Sequence, residues 1–392
     1  MRLSGGENLE IYGDTLIVRF PGKRCVLSTS WLNGGYREDL TSVFNHQIPL
    51  SLCNDSHLAR FEPVPYLRET ASGRGIDPET TAGLLTRAAM QNAAAITESF
   101  RDISVSAVVT AGVDVNGGRA GDPASYYECN GIVGPVGGTI NTILAINAAM
   151  PEYAMVRALI TATEAKAAAL QQVMAKSCYS SGIATGSGTD MSAIITNPES
   201  PVRLTDAGKH AKLGELIGRV LIRATQEALR RETGLGPDMQ RNILARFSRY
   251  SVNGEVLWER ASGLRGLSER EPERQEFLAH LDKWSRDPVA VAITAASLHL
   301  IDEVQWGLLP EPAARAAIRR ITGHGFADFS GTGDFSDNFG NTAGSGTESL
   351  LAILEDSVAG SVLQDRKTAP DPAATSHGTF GFVRNNPKKN DR

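Results

Sequence analysis

The chain is poor in the features that mark the commoner classes of binding protein. Its 392 residues hold four cysteines, Cys25, Cys53, Cys129 and Cys178, far apart and without C-x-x-C spacing. That pattern supports neither a zinc knuckle nor a disulfide framework and suits a reducing compartment. Basic residues are not in excess, with 39 Lys and Arg against 44 Asp and Glu, so the electrostatic footprint of a nucleic-acid partner is missing. No apolar run nears the length of a membrane span, and the opening residues MRLSGGENLEIYGD contain no signal-peptide core. A cytoplasmic protein with no membrane partner is therefore expected. Neither His46 nor His57 has a second histidine at H-x-H or H-E-x-x-H spacing, so no protein metal site and no resident cofactor are expected. The chain has no internal repeat.

What is present is a globular composition long enough for two or three domains. Alternating runs over Leu9 to Phe20 and Arg24 to Ser30, broken by Pro21-Gly22, predict a hairpin. Leu84, Leu85, Ala88, Ala89, Ala95 and Ile96 fall at helical spacing and predict a helix over Glu79 to Phe100. Ile103 to Val113 and Thr139 to Ile146 read as strands, and the long Gly-rich loop between them is a candidate site wall. Pro151 opens a predicted helix over Tyr153 to Met174. Met191 to Thr196 predicts a strand, and Gly208 to Arg231 a helix ending near Gly234.

This order departs from strict β-α-β alternation, so the fold class is α/β, with a mixed sheet carrying packed helices. The first domain is expected over 1–236, ending at Gly236-Pro237, and a mainly helical C-terminal domain over 237–366. Within the latter, Met239 to Tyr250 and Glu273 to Trp284 read as helices, and Pro288 to Leu300 fits helix or strand. Phe326 to Ser349, rich in Gly, Ser, Thr and Asp, reads as a loop. The Pro-, Lys- and Asn-rich tail over 367–392 is expected to be disordered.

Four polar, glycine-bounded signatures lie between Val108 and Gly218. In GGTIN, Thr139 follows two glycines at the head of a strand, where its hydroxyl would be accessible. A threonine nucleophile must borrow a base, one solution being its own α-amino group once the preceding bond is cut; the plainer reading is a turn and an ordinary strand residue. Asn116 in VDVNGGRAGD stands past a strand end, placed either to aim its amide at an oxyanion or to make an Asn-Gly turn. Arg119 and Asp122 form either a loop-shaping ion pair or a substrate clamp. In ATGSGTD, the spacing and the strand that follows exclude a P-loop, but Ser187, Thr189 and Asp190 offer hydroxyls and a carboxylate to orient a nucleophile or relay a proton. In TEAK, Glu164 and Lys166 are two residues apart and do not face each other on a helix; Glu164 is the better candidate for a buried role, and a solvated face is the plainer reading. Lys209 and His210 open the next helix, where the positive end of the helix dipole favours an anion; His210, on the side of Leu213 and Ile217, reads more plainly as a hydrogen-bonded core residue.

Together with STSWLNGG (Ser28 to Gly35), FNHQ (Phe44 to Gln47) and AGKHAKLGELIG (Ala207 to Gly218), these motifs resemble the adenosylcobinamide amidohydrolase family over about Leu16 to Leu229. The resemblance implies hydrolysis of the amide joining aminopropanol to the corrin ring, with cobalt arriving only in the small-molecule corrinoid substrate. It marks Asn33, Asn45, His46, Arg119 and Asp122 as substrate contacts, and likewise Asn141, Glu164, Ser187, Lys209 and His210. A second, more distant likeness, to DmpA-type aminopeptidases and ornithine acetyltransferases, implies a layered sandwich. It makes Thr139 the nucleophile and Asn116 the oxyanion donor, with Thr189 and Asp190 the supporting hydroxyl and acid. A corrinoid carrier or sensor without hydrolytic activity and a peptidase or acyltransferase of that second kind stand as alternatives, and homo-oligomerisation stays open.

Overall fold

The computed structural model describes residues 1–49, 61–124, 139–265, 271–327 and 346–368. Its first compact unit, Met1–Ser251, is built on two mixed sheets. Strands β1 (Asn8–Tyr12), β2 (Thr15–Arg19), β5 (Ser42–Gln47) and β6 (Thr81–Thr86) make one sheet, in the order β1-β2-β5-β6. The other is made by β3 (Cys25–Ser28), β4 (Gly35–Arg37), β7 (Ala94–Phe100), β8 (Ile103–Ala111), β10 (Ile140–Ile146) and β12 (Met191–Thr196), in the order β4-β3-β12-β10-β8-β7. The pairs β5 with β6 and β10 with β12 are parallel, and the remaining pairs in these sheets are antiparallel. A two-residue ribbon joins β9 (Gly117–Gly118) to β11 (Gly186–Ser187).

Strand alternation sets the layers, because successive side chains point to opposite faces of a sheet. On β10, Ile143 and Ala145 point towards the first sheet and pack with Leu16, Val18, Val43 and Leu84. Its neighbours Leu144 and Ile146 point the other way, into a core shared with helices α2 (Glu152–Gln172) and α3 (Lys212–Thr233) through Ala158, Ala162, Ile217 and Val220. Helix α1 (Pro63–Gly73) covers the far face of the first sheet, laying Leu67 and Ala71 on Ile17, Phe44 and Leu85. The unit is thus a layered sandwich: helix, sheet, sheet, helices. Each large aliphatic side chain fully buried in these cores contributes about 1.5–3 kcal/mol. At the C-terminus of α3, Gly234 at φ 75° takes the left-handed conformation that closes the helix.

Two of the predicted elements are different in the structure. Glu79 to Phe100 is not a helix but β6, a short 3-10 turn at Met90–Asn92, and β7. A run of small apolar residues satisfies both periods, and the parallel pairing of β6 with β5, which buries every residue of β6, decides for strand. The strands on either side of Pro21-Gly22 do not pair with each other: β2 joins the first sheet and β3 the second, so this turn crosses between layers. The actual hairpin is β1–β2, turning at Gly13 with φ 60°.

The first unit also runs past Gly236-Pro237. Short helices α4 (Pro237–Gln240) and α5 (Ile243–Phe247) belong to it, and the division falls between Ser251 and Val252. The second unit is helical: α6 (Gly254–Arg265), α7 (Glu271–Trp284), α8 (Pro288–Gln305), α9 (Glu311–Ala327) and α10 (Thr347–Thr368). The apolar run from Pro288 is therefore helix, capped by Asp287, whose carboxylate accepts the N–H groups of Val289 and Ala290 at 2.8 Å each. Phe277, Leu281, Ile318, Phe326, Leu354 and Val358 are buried in it. Most of the loop over Phe326 to Ser349 and nearly all of the tail over 367–392 lie outside the described residues, as do Cys53, Cys129, Gly137 and Gly138.

Candidate active site

Thr139 directly precedes β10 and is almost wholly buried. Its hydroxyl lies 2.7 Å from that of Thr189 and 3.5 Å from that of Ser187, the latter beyond ordinary hydrogen-bond length. Thr139 and Thr189 precede two neighbouring strands, and Ser187 comes from the β9–β11 ribbon. β10 and β12 run parallel with Asn141 opposite Met191, so residues just before each strand meet at the same edge of the sheet. There the ladder of backbone bonds runs out and a side chain continues it: Ile140 N–H donates to Asp190 Oδ1 at 2.9 Å.

Asp190 organises this edge. Its Oδ1 also accepts the Ser187 hydroxyl at 2.6 Å, and its Oδ2 accepts Ser187 N–H at 3.0 Å. The remaining partner is the Lys166 ammonium, which reaches across from α2. Gly186 makes the approach possible, since a Cβ there would lie 2.4 Å from Asp190 Oδ2 and 3.1 Å from Lys166 Nζ. The β9–β11 ribbon adds the other wall by pairing Gly117 with Ser187. That pairing sets Asn116, the residue before Gly117, beside the ribbon that carries Ser187. Asn116 is buried, and its Oδ1 has no hydrogen-bond partner among the described residues. A buried acceptor without a donor is costly in a folded protein; the unpaired group here is the oxygen of the amide, which only an N–H or O–H would satisfy.

The structure therefore gathers Thr139, Ser187, Thr189 and Asp190 in one cluster, with Asn116 next to the ribbon strand that pairs with Ser187. It places the other sequence-predicted residues elsewhere. Asn141 points between the sheets, where its Nδ2 donates to Asn45 Oδ1 at 2.7 Å and Leu85 O at 2.8 Å while its Oδ1 accepts Met191 N–H at 3.2 Å. Asn45 Nδ2 in turn donates to Thr110 at 2.8 Å. This buried network ties the two sheets together and leaves neither amide facing a ligand. His46 lies on the opposite face of the first sheet, held by Thr15 at 2.8 Å and Tyr66 at 2.9 Å. Burial pushes its pKa below the usual histidine value, against the pull of the Asp14 carboxylate. Asn33, at φ 54°, donates to Pro78 O and Thr81 O and shapes a turn. The glycine after it is obligatory, because a Cβ on Gly34 would sit 2.0 Å from Ser30 O.

Asp122 accepts the Arg119 backbone N–H at 2.7 Å and the Ser177 hydroxyl at 2.6 Å. Burial would raise its pKa, but these bonds and one from Ser180 outweigh it and hold the carboxyl below its ordinary value. Asp122 is thus a loop fastener, while the Arg119 side chain is exposed and packs beside Gly182. Glu164, Lys209 and His210 line a separate cavity of about 330 Å³ with Arg157, Thr161 and Asp206. In it Lys209 pairs with Glu164 at 2.7 Å and Arg157 with Asp206 at 2.9 Å. Gly214 serves packing in that motif, its missing Cβ leaving room for the Gly208 carbonyl.

In TEAK it is Lys166 that reaches Asp190, while Glu164 is exposed, in line with the solvated face and not with the buried role. A signal was present. Ala158, Ala162, Ala165 and Ala169 form the buried stripe of α2, and Lys166 follows Ala162 by four and precedes Ala169 by three, so it borders the stripe while Glu164 does not. Among the described residues no group of three His, Cys, Asp or Glu side chains is placed to hold a metal ion, and no helix is long and apolar enough to cross a membrane.

Residues 2–237 match the family model for adenosylcobinamide amidohydrolase. The chain is 37% identical over 227 residues to an uncharacterized protein of Methanocaldococcus jannaschii, covering 55% of this chain and 85% of that one. It is 34% identical over 160 residues to the adenosylcobinamide amidohydrolase of Methanosarcina mazei, covering 41% of this chain and 66% of that enzyme. Among solved structures, the PH0078 protein from Pyrococcus horikoshii aligns at 13% identity with a TM-score of 0.29, over 58% of this chain and 79% of that one.

Proposed function

We propose, from the premise that the chain belongs to the adenosylcobinamide amidohydrolase family, that it hydrolyses the aminopropanol amide of adenosylcobinamide. The products are adenosylcobyric acid and 1-aminopropan-2-ol, and the setting is salvage of incomplete corrinoids in the cytoplasm. The observation that carries the reading is the buried hydroxyl of Thr139, 2.7 Å from Thr189 at a sheet edge fixed by Asp190.

In this mechanism Thr139 Oγ1 attacks the amide carbonyl carbon and forms a tetrahedral oxyanion, to which Asn116 donates from its amide. The nitrogen of the breaking amide is the base: in one concerted relay the Thr139 proton moves to Thr189 as the proton of Thr189 moves to that nitrogen, the C–N bond breaks and free amine leaves. Water then attacks the Thr139 ester, the hydroxyls run the same transfer in reverse, and the carboxylate is released. The protein supplies no cofactor, and cobalt enters with the substrate.

The test is mass spectrometry of products after mixing purified protein with adenosylcobinamide. Adenosylcobyric acid and aminopropanol are expected. Intact substrate, under conditions where the corrinoid demonstrably binds, would refute the reading in favour of a carrier or sensor.

A further inference from the structure

Asp190 has the chemistry of a general base but no vacancy for the work. An ionised carboxylate offers about four lone-pair sites on its two oxygens, and four donors occupy them. Ile140 N–H and the Ser187 hydroxyl take Oδ1, and Ser187 N–H and the Lys166 ammonium take Oδ2. Three of these donors belong to the strand edge that carries the hydroxyls. The fourth comes from a helix in another layer, and it alone carries a charge.

We propose that Lys166 is a positioning residue of the hydrolytic site, acting through Asp190. It occupies the last acceptor site and compensates the carboxylate charge, so that Asp190 holds Ile140 N–H and Ser187 still and leaves the proton traffic to the hydroxyls. Both partners are nearly enclosed, with side chains 14% and 12% exposed. In such surroundings removal of one charge leaves the other uncompensated and seeking new donors. Without Lys166, Asp190 Oδ2 turns to water or to neighbouring hydroxyls, and the register between Thr139 and Ser187 is lost. Gly186 is the structural counterpart of this role, since the ion pair fills the space a side chain would need.

The inference rests on the amidohydrolase reading, and the experiment separates the two. Wild-type protein, Lys166→Met and Lys166→Ala are assayed on adenosylcobinamide, with thermal unfolding followed in parallel. Lys166→Met is expected to lose on the order of 10²-fold in kcat, as when a proton-transfer arrangement is spoiled, with KM changed by less than about threefold because the contact does not involve substrate. Ethylammonium should restore at least about tenfold in kcat to Lys166→Ala by supplying the missing charged donor, and tetramethylammonium, which has no N–H, should not. A merely structural lysine would show neither the kcat-specific loss nor the dependence on an N–H donor. Should Lys166→Met fail to fold, Lys166→Gln, which keeps a donor without the charge, is assayed in its place with the same kcat loss expected. Wild-type turnover matched by a folded variant overturns the role of Lys166 alone. A wild-type protein that leaves adenosylcobinamide intact overturns the reading and the inference together.

Discussion

Two polar clusters sit within a few residues of each other on the same strand, and they are opposites. Around Asn141 both amide hydrogens and the oxygen have protein partners, and Asn45 is likewise engaged. Around Thr139 the hydroxyls of Thr139 and Thr189 meet and that of Ser187 donates to Asp190, while the Asn116 oxygen has no partner among the described residues. The first cluster is finished by folding. The second is built of hydroxyls, which can donate and accept at once and so can pass a proton as well as hold a bond. Residue type does not separate the two, because both are built from Asn and Thr; the count of satisfied groups does.

Substitutions can break this contrast. The largest effect is expected from Thr139→Ala, which should abolish turnover of adenosylcobinamide while leaving the urea midpoint close to wild type; substantial residual turnover would remove Thr139 from the chemistry. Next, Asn116→Ala should cost about 10²- to 10³-fold in kcat, the range for one oxyanion donor. Its urea midpoint should stay close to wild type, because the oxygen it deletes is unpaired among the described residues; a lower midpoint with unchanged kcat would reverse its assignment. The converse is expected of Asn141→Ala, where Asn45, Leu85 O and Met191 N–H lose their partner. Destabilisation by about 2–4 kcal/mol should follow, read from denaturant melts. A midpoint equal to wild type would mean the network between the sheets is not what holds them.

Much of this was legible in the sequence, and the gaps have physical causes. The mixed α/β class, strands β8, β10 and β12 and helices α2 and α3 follow from periodicity, because each buries one face or a whole short run. Hydroxyls next to glycines at predicted strand ends pointed to Thr139, Ser187, Thr189 and Asp190. What sequence did not reveal is which polar residues would meet. Asn45 and His46 are adjacent, yet alternation sends one between the sheets and the other beneath α1. Glu164 and Lys166 part in the same way on a helix. Glu79 to Phe100 was misread because alanine and leucine fit either period until a pairing partner is known.

The order of strands has a consequence in time. Thr139 touches Thr189 across 50 residues of sequence, and β12 meets β3 across 171. Contacts so distant in sequence form slowly, since chain closure must come before any bond repays it, whereas α2 and α3 draw on local contacts. After dilution from denaturant, helical ellipticity should return first and hydrolytic activity last; simultaneous recovery would contradict this order. The hydroxyl edge is then the last part of the unit to exist, and a partly folded chain has its helices but no chemistry.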